Sequence, residues 1–253
     1  EVSTARSRRR LPVVAKKYQA PRGTEDVTPA DAPKWRFVES TFASLVSLYG
    51  YEEIRTPIFE DIELFVRSSG ETSEVVTKQM YDFADKGGRH IALKPEETAP
   101  AMRAYLEHSL GQSGQTTRLW YCTPVFRYER PQKGRLRQPH QLGLELIGSS
   151  SPAADAEVIE VTVGFYERLG IGGISVLLNC IGRGDAREKF GQAMLAHVST
   201  WLSEQATDVQ ARAQKNPLRL LDSKDETLSA AVAGGPSILG FISDESRAHF
   251  EAV

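Results

Sequence analysis

Apolar residues recur at three- and four-residue spacing over positions 31–49, where Trp35, Val38, Phe42, Leu45 and Leu48 share one face and Gly50 supplies a stop; the spacing predicts a helix. The next stretch, YEEIRTPIFED, alternates Tyr51, Glu53 and Arg55 against Ile54 and Thr56, as a strand does, and Pro57 places its end at an edge. QMYDFADKGGRHIALKP reads as a hairpin turning at Lys86-Gly87-Gly88. A helix follows from Ala99 to Leu110, then the strand TTRLWYCTPVFRYE and its antiparallel return HQLGLELIG. Residues 155–170 have a capped amphipathic pattern, with Asp155 at the start and Gly170 at the end, and ISVLLNCIG follows as a buried strand. From Arg183 onward the texture changes to short, polar helices with weak apolar faces. Strands that arrive as hairpins beside helices predict an α+β fold with a mainly antiparallel sheet, not a doubly wound one.

Composition narrows the functional classes. At 253 residues, 40% hydrophobic and 25% charged, the chain has the makings of one large or two smaller globular domains. A formal charge of −2 argues against a strong overall field for nucleic acid, while leaving room for a local basic patch. Two cysteines, Cys122 and Cys180, make neither a disulfide framework nor a structural zinc site. Histidines 90, 108, 140, 197 and 249 lack metal-ligand spacing, so no metal site is expected. No apolar run reaches the ~18 residues a membrane span needs, and the cytoplasm is the expected compartment. Residues 1–17 carry Arg6, Arg8, Arg9, Arg10, Lys16 and Lys17, a basic tail that is either solvated or in contact with an RNA backbone.

Charge is oddly placed in FRYERPQKGRLRQPHQLGLELIG, residues 126–148. Strand alternation puts Arg127 and Glu129 on one face with Gln141, Gly143 and Glu145, and sends Leu142, Leu144 and Leu146 to the buried side. One surface then holds an arginine, an amide and two carboxylates, with a glycine leaving room at its middle. Cross-strand ion pairing on a solvated sheet is the plain explanation. The alternative is a platform for a ligand bearing both signs: the Arg127 fork for phosphate or carboxylate, Glu145 for a cationic ring or amine. The loop between the strands offers Arg130, Lys133, Arg135 and Arg137, and Arg135 is placed for the far end of a polyphosphate. No glycine-rich phosphate loop is present, so arginines would have to hold any nucleotide. Glu96 and Thr98 add a polar edge before the 99–110 helix, where either also serves as a cap.

These stretches resemble class II aminoacyl-tRNA synthetases, and closely the histidyl-tRNA synthetase family. PRGTEDVTP resembles that family's opening, GYEEIRTPIFED its motif 1, LKPEETA its amino-acid-binding strand and FRYERPQKGRLRQPHQLGLELIG its motif 2; NPLRLLDSK and DESRAHF resemble its insertion. The resemblance runs from Tyr18 to Val253 and implies a catalytic core over 18–182 and a helical insertion module over 183–253. It implies that Glu96, Glu97, Thr98, Arg127, Gln141 and Glu145 bind histidine, with Glu145 on the imidazole. It also implies that Arg127, Glu129 and Arg135 bind ATP and that Arg127 is catalytic. The implied partners are histidine, ATP with Mg²⁺, tRNA(His) and a second copy in an isologous dimer, and the implied activity is histidine–tRNA ligation.

The resemblance is not complete. Pro139 stands where the family has an aromatic residue that stacks on adenine, Lys94 replaces the commoner arginine, and Glu97 the commoner glycine. Nothing resembles the family's second histidine signature, motif 3 or the anticodon-binding domain, so the chain is expected to be the N-terminal portion of a synthetase and close to inert alone. Two other readings fit parts of the pattern: the synthetase-like regulatory subunit of ATP phosphoribosyltransferase, and a non-catalytic domain that senses tRNA.

Overall fold

The computed structural model describes residues 18–69, 75–112, 114–221, 223 and 225–253; the basic tail 1–17 and the Asp222 and Lys224 positions of NPLRLLDSK lie outside them. The chain divides into two compact units, with the boundary in the sequence between Gly148 and Ser149.

The first unit begins with helix α1 (Ala32–Leu48), which has Pro33 in its first turn and buries Phe42, Leu45 and Val46. Leu48, expected on the buried stripe, is exposed. The single strand expected over 51–61 is two short ones, β1 (Glu52–Glu53) and β2 (Phe59–Asp61), in different sheets. Pro57 between them has no N–H to give a ladder, which suits the switch. Helix α2 (Ile62–Ser69) follows, an element the sequence pattern did not disclose. Strands β3 (Tyr81–Ala84) and β4 (His90–Leu93) form the expected hairpin, and Asp85 ties its turn by accepting from the N–H groups of Gly87 and Arg89 at 2.8 and 2.9 Å. Helix α3 (Thr98–Glu107) then leads to β5 (Thr117–Pro124) and β6 (His140–Ile147).

The sheets are small, ordered β1-β5-β6 and β2-β4-β3. All pairings are antiparallel except β1 with β5, which is parallel. Phe65, Ala92 and Ala99 pack together with Ile62, Leu64 and Met80, so α2 and the start of α3 cover the β2-β4-β3 sheet. On the other sheet, the Trp120 ring meets Phe42 of α1 edge-on at 5.8 Å. An α+β arrangement of small sheets flanked by helices results.

In the second unit, α4 (Pro152–Arg168) starts at Ser151, whose hydroxyl accepts from the Ala153 N–H at 3.3 Å. Asp155, expected at the cap, lies inside the first turn and pairs with His249 at 2.8 Å. The helix ends, as expected, at Gly170. Residues 174–182 contradict their pattern: they join no ladder among the described residues, and Leu177 is 94% exposed. Among the described residues the α-helices that follow are α5 (Ala186–His197), α6 (Ser199–Ser203), α7 (Thr207–Lys215), α8 (Glu226–Val232) and α9 (Asp244–Ala252), with short 3-10 turns at Pro217–Leu220 and Ile238–Gly240. Apolar residues of α5, α7 and α8, weak in sequence, make a core of Phe190, Met194, Ala213 and Leu228 with Val198, Leu220 and Ile238 from the connecting turns, and Trp201 and Leu202 of α6 pack against it.

Candidate active site

The β5–β6 register sets Leu119 opposite Glu145, Tyr121 opposite Gly143 and Thr123 opposite Gln141. These six positions share a face, and Trp120, Leu142, Leu144 and Leu146 take the other. His140 lies on that second face, its ring 4.5 Å from Trp35, and burial pushes its pKa below the ordinary histidine value.

Gly143 does not leave open space. A Cβ there would stand 2.4 Å from the Cζ and hydroxyl of Tyr121, so the tyrosine ring occupies the room the glycine provides. Tyr121 is 3% exposed and donates its hydroxyl hydrogen to Glu145 Oε1 at 3.1 Å. Thr98 is hydrogen-bonded to both groups. Burial raises the Glu145 pKa; the bonds from Thr98 and Tyr121 oppose that rise, and the charges of Glu96 and Glu97 add to it. Glu145 is therefore a half-buried carboxylate held in one orientation, with no ion pair to a cation among the described residues. Tyr121 was not among the expected site residues. Its place opposite a glycine, one step across from a carboxylate, was the available signal.

The turn 94–98 brings the second set of groups. Pro95 O accepts from Arg127 Nε at 2.8 Å, which fixes the guanidinium plane and leaves its two terminal nitrogens for a ligand. The Glu96 carboxylate accepts from the N–H groups of Thr98 and Ala99 at 2.6 and 3.0 Å, so it caps α3. Gln141 Oε1 accepts from the Glu97 N–H at 3.0 Å, keeping one lone pair for another donor. The Glu97 side chain points inward. It is fully buried, with Oε2 at 2.6 Å from Lys94 Nζ and Oε1 accepting from Thr56 at 2.7 Å. Of the residues expected to bind histidine, Glu97 is thus the one withdrawn from solvent. Glu96 and Thr98 line an open groove of 1020 Å³ along with Leu64, Met102 and Leu106.

Beyond Pro124 the chain leaves the regular ladder, so Arg127 and Glu129 do not sit on a strand as alternation required. Val125 N–H to Pro139 O at 2.9 Å and Arg127 N–H to Arg137 O at 3.0 Å continue the pairing for two steps, which keeps Arg127 near the Glu145 face. Tyr128 N–H then donates to Gln79 O at 2.7 Å and draws the chain away, taking Glu129 off the platform. Glu129 faces Arg135 at 3.5 Å across a tight turn at Lys133-Gly134. Arg137, expected only as a loop cation, lies with its guanidinium 4.0 Å from the Tyr128 ring centroid and donates from Nε to Glu129 O at 3.1 Å. Its backbone N–H reaches Gly23 O at 2.7 Å. Gly23 has φ +86°, and a Cβ there would meet Arg137 Cγ at 2.8 Å, so the segment beginning PRG needs glycine to close on this loop.

Thr98, Arg127, Gln141 and Glu145 are therefore tied into one patch, directly or through the turn 95–97, with Glu129 and Arg135 as a separate pair on the loop. Among the described residues no group of three His, Cys, Asp or Glu is placed to hold a metal ion. No described helix is long and apolar enough to cross a membrane.

Comparison with known proteins bears on this arrangement. The Histidyl-tRNA synthetase family model matches residues 23–186. The histidine–tRNA ligase of Geobacillus kaustophilus is 49% identical over 237 residues, covering 93% of this chain and 56% of that protein. The Pediococcus pentosaceus histidine–tRNA ligase is 46% identical, covering 94% of this chain and 56% of its own length. The chain thus spans about half the length of the curated relatives it matches. Among solved structures, apo S. aureus histidyl-tRNA synthetase superimposes with a TM-score of 0.71 at 35% identity, over 93% of this chain and 53% of that one. A Bacillus halodurans C structure described as an ATP phosphoribosyltransferase regulatory subunit/histidyl-tRNA synthetase has a TM-score of 0.63 at 22% identity, over 94% of this chain and 65% of that one, and so shares the fold. With the family model covering most of the chain and two small sheets carrying the motif residues as a single patch, the chain belongs to the histidyl-tRNA synthetase family.

Proposed function

We propose that this chain is the histidine- and ATP-binding portion of a histidine–tRNA ligase, with 18–182 as catalytic core and 183–253 as an inserted module. The observation that carries the reading is the half-buried Glu145, oriented by Tyr121 and Thr98 within the patch that Arg127 joins. A buried carboxylate with hydrogen-bond donors but no cation is a receptor for an imidazole N–H or imidazolium. Thr98, Glu96 and the remaining lone pair of Gln141 Oε1 accept from the histidine ammonium group. Arg127 holds the histidine carboxylate against the α-phosphate of ATP, and Glu129 and Arg135 take the adenine edge and the γ-phosphate. A histidine carboxylate oxygen bonds to the α-phosphorus, the bond from that phosphorus to the bridging oxygen breaks, and pyrophosphate leaves with the electron pair. No side chain becomes a nucleophile; catalysis is orientation plus charge stabilisation. Mg²⁺ carried by ATP would neutralise phosphate charge; among the described residues no group of three His, Cys, Asp or Glu is placed to hold it on the protein side. The adenylate then passes its histidyl group to tRNA(His). A homodimer and a cytoplasmic setting belong to the same proposal.

Both signs share the patch because the ligands carry both. The test is calorimetry of the purified chain with L-histidine. Glu145→Ala is expected to weaken binding by about 2–4 kcal/mol with the fold retained. Equal affinities for parent and variant place the imidazole elsewhere and remove the reading.

A further inference from the structure

Lys94 and Glu97 are here one device. Both side chains are wholly buried, with Nζ and Oε2 at 2.6 Å. Thr56 closes the triangle, donating to Glu97 Oε1 at 2.7 Å and accepting from Lys94 Nζ at 3.3 Å. The pair lies at the two ends of the turn that supplies the site. Lys94 N–H donates to Ile58 O at 3.0 Å, and Lys94 O accepts from Phe126 N–H at 2.8 Å. Between the two charges, Pro95 O fixes Arg127, and Glu97 N–H fixes Gln141. The exits of β1, β4 and β5, the start of β6 and the start of α3 all converge on four residues of backbone.

Stability alone does not account for such a pair, because well-packed apolar residues of similar volume commonly do as well or better in a buried site. The ionic contact adds direction through Thr56, which is hydrogen-bonded to each charge: the three groups together admit one arrangement of the turn, where apolar side chains admit several. We infer that the Lys94–Glu97 pair is a positioning device that sets the Arg127 guanidinium and the Thr98 hydroxyl relative to Glu145. Neither residue touches the ligand. For its effect on binding, the inference rests on the histidine reading above.

The experiment compares the parent chain with Glu97→Gln, Lys94→Met and the double variant Lys94→Met/Glu97→Met. Three readouts are taken: melting temperature, solvent exchange of the Arg127 Nε–H signal in ¹⁵N-labelled protein, and calorimetry with L-histidine. Each single variant strands a buried polar partner and is expected to melt well below the parent. The double variant is expected to melt within about 3 °C of the parent, since no unpaired charge remains. In that stable protein, Arg127 Nε–H exchange is expected to rise at least tenfold, and histidine affinity to fall at least tenfold. A double variant that keeps both the slow Arg127 exchange and the histidine affinity overturns the inference and leaves the pair a stabiliser only. If no variant folds, an intact fold depends on the pair itself and the separate positioning role is likewise overturned. A parent that binds no histidine while the Arg127 exchange responds as expected defeats the histidine reading and leaves the positioning role standing.

Discussion

The β5–β6 hairpin and residues 174–182 carry the same kind of signal, apolar and β-branched residues in short runs, and they end differently. The hairpin finds a partner at every step from Thr117–Ile147 to Pro124–His140, with β1 on its outer edge, and it holds the candidate site. Residues 174–182 pair with no described strand, and Ile174, Val176, Leu177, Leu178 and Ile181 are exposed. Two of that segment's backbone donors turn to their own neighbourhood: Cys180 N–H goes to Asn179 Oδ1 at 2.8 Å and Gly182 N–H to Cys180 Sγ at 3.3 Å. Strand propensity describes how well a side chain fits a pleated, half-buried surface. It cannot supply the surface, and backbone groups without a ladder take whatever partner is near.

Hydrogen exchange breaks or upholds this contrast most directly. Amides in the centre of the β5–β6 ladder are expected to exchange on the order of 10³ times slower, or more, than those of 174–179. Comparable rates in the two stretches would mean that the second has found a partner in solution, such as another copy of the chain. Side-chain deletion gives a smaller, energetic version of the same test. Leu119→Ala removes a core residue that is 3% exposed and is expected to cost about 2–5 kcal/mol in denaturant melts. Leu177→Ala, from a side chain 94% exposed, is expected to change stability by under about 0.5 kcal/mol while reducing self-association.

The smallest effect separates function from stability inside the hairpin. Burial raises the Glu145 pKa in the folded chain, so the native state binds more protons than the unfolded one between the ordinary Glu value and the folded value. Stability is therefore lost as pH rises through that window. Glu145→Gln has no such loss, so it is expected to melt about 1 °C above the parent at neutral pH, with the gap closing below the ordinary carboxylate range. A gap of the opposite sign would show that Glu145 already has a favourable ion partner in the free protein.

Much of the hairpin was legible because alternation and a turn sequence rest on local geometry. Arg127, expected on a strand face with Glu145, instead follows the strand on a loop that continues the register for two more steps and bonds Pro95 O of the turn 94–98. Glu129 was misplaced, since nothing in its own surroundings announces the Tyr128–Gln79 bond that draws the chain off the sheet. Tyr121 carried no expectation of its own, and the space expected over Gly143 is occupied by its ring. Lys94 and Glu97 stand three apart, like any surface pair; the partner that bonds both in the interior is Thr56, from 38 and 41 positions earlier in the chain. The 174–182 segment failed for the opposite reason: its local signal was strong, and the missing ingredient was a neighbour.

The contact between Gly23 and Arg137 has a consequence for the order of events when this unit folds. The hairpin β5–β6 is a local structure and is free to form as soon as its own residues are available. Its loop takes its final path only when a segment 114 residues earlier returns to accept the Arg137 N–H, a closure whose entropy must be met before the bond repays it. Such a contact is expected to form after the rate-limiting step, where it would slow unfolding far more than it speeds folding. On that expectation the clasp at Gly23 is a brake on the way out, lengthening the life of a loop geometry that the rest of the unit has already decided.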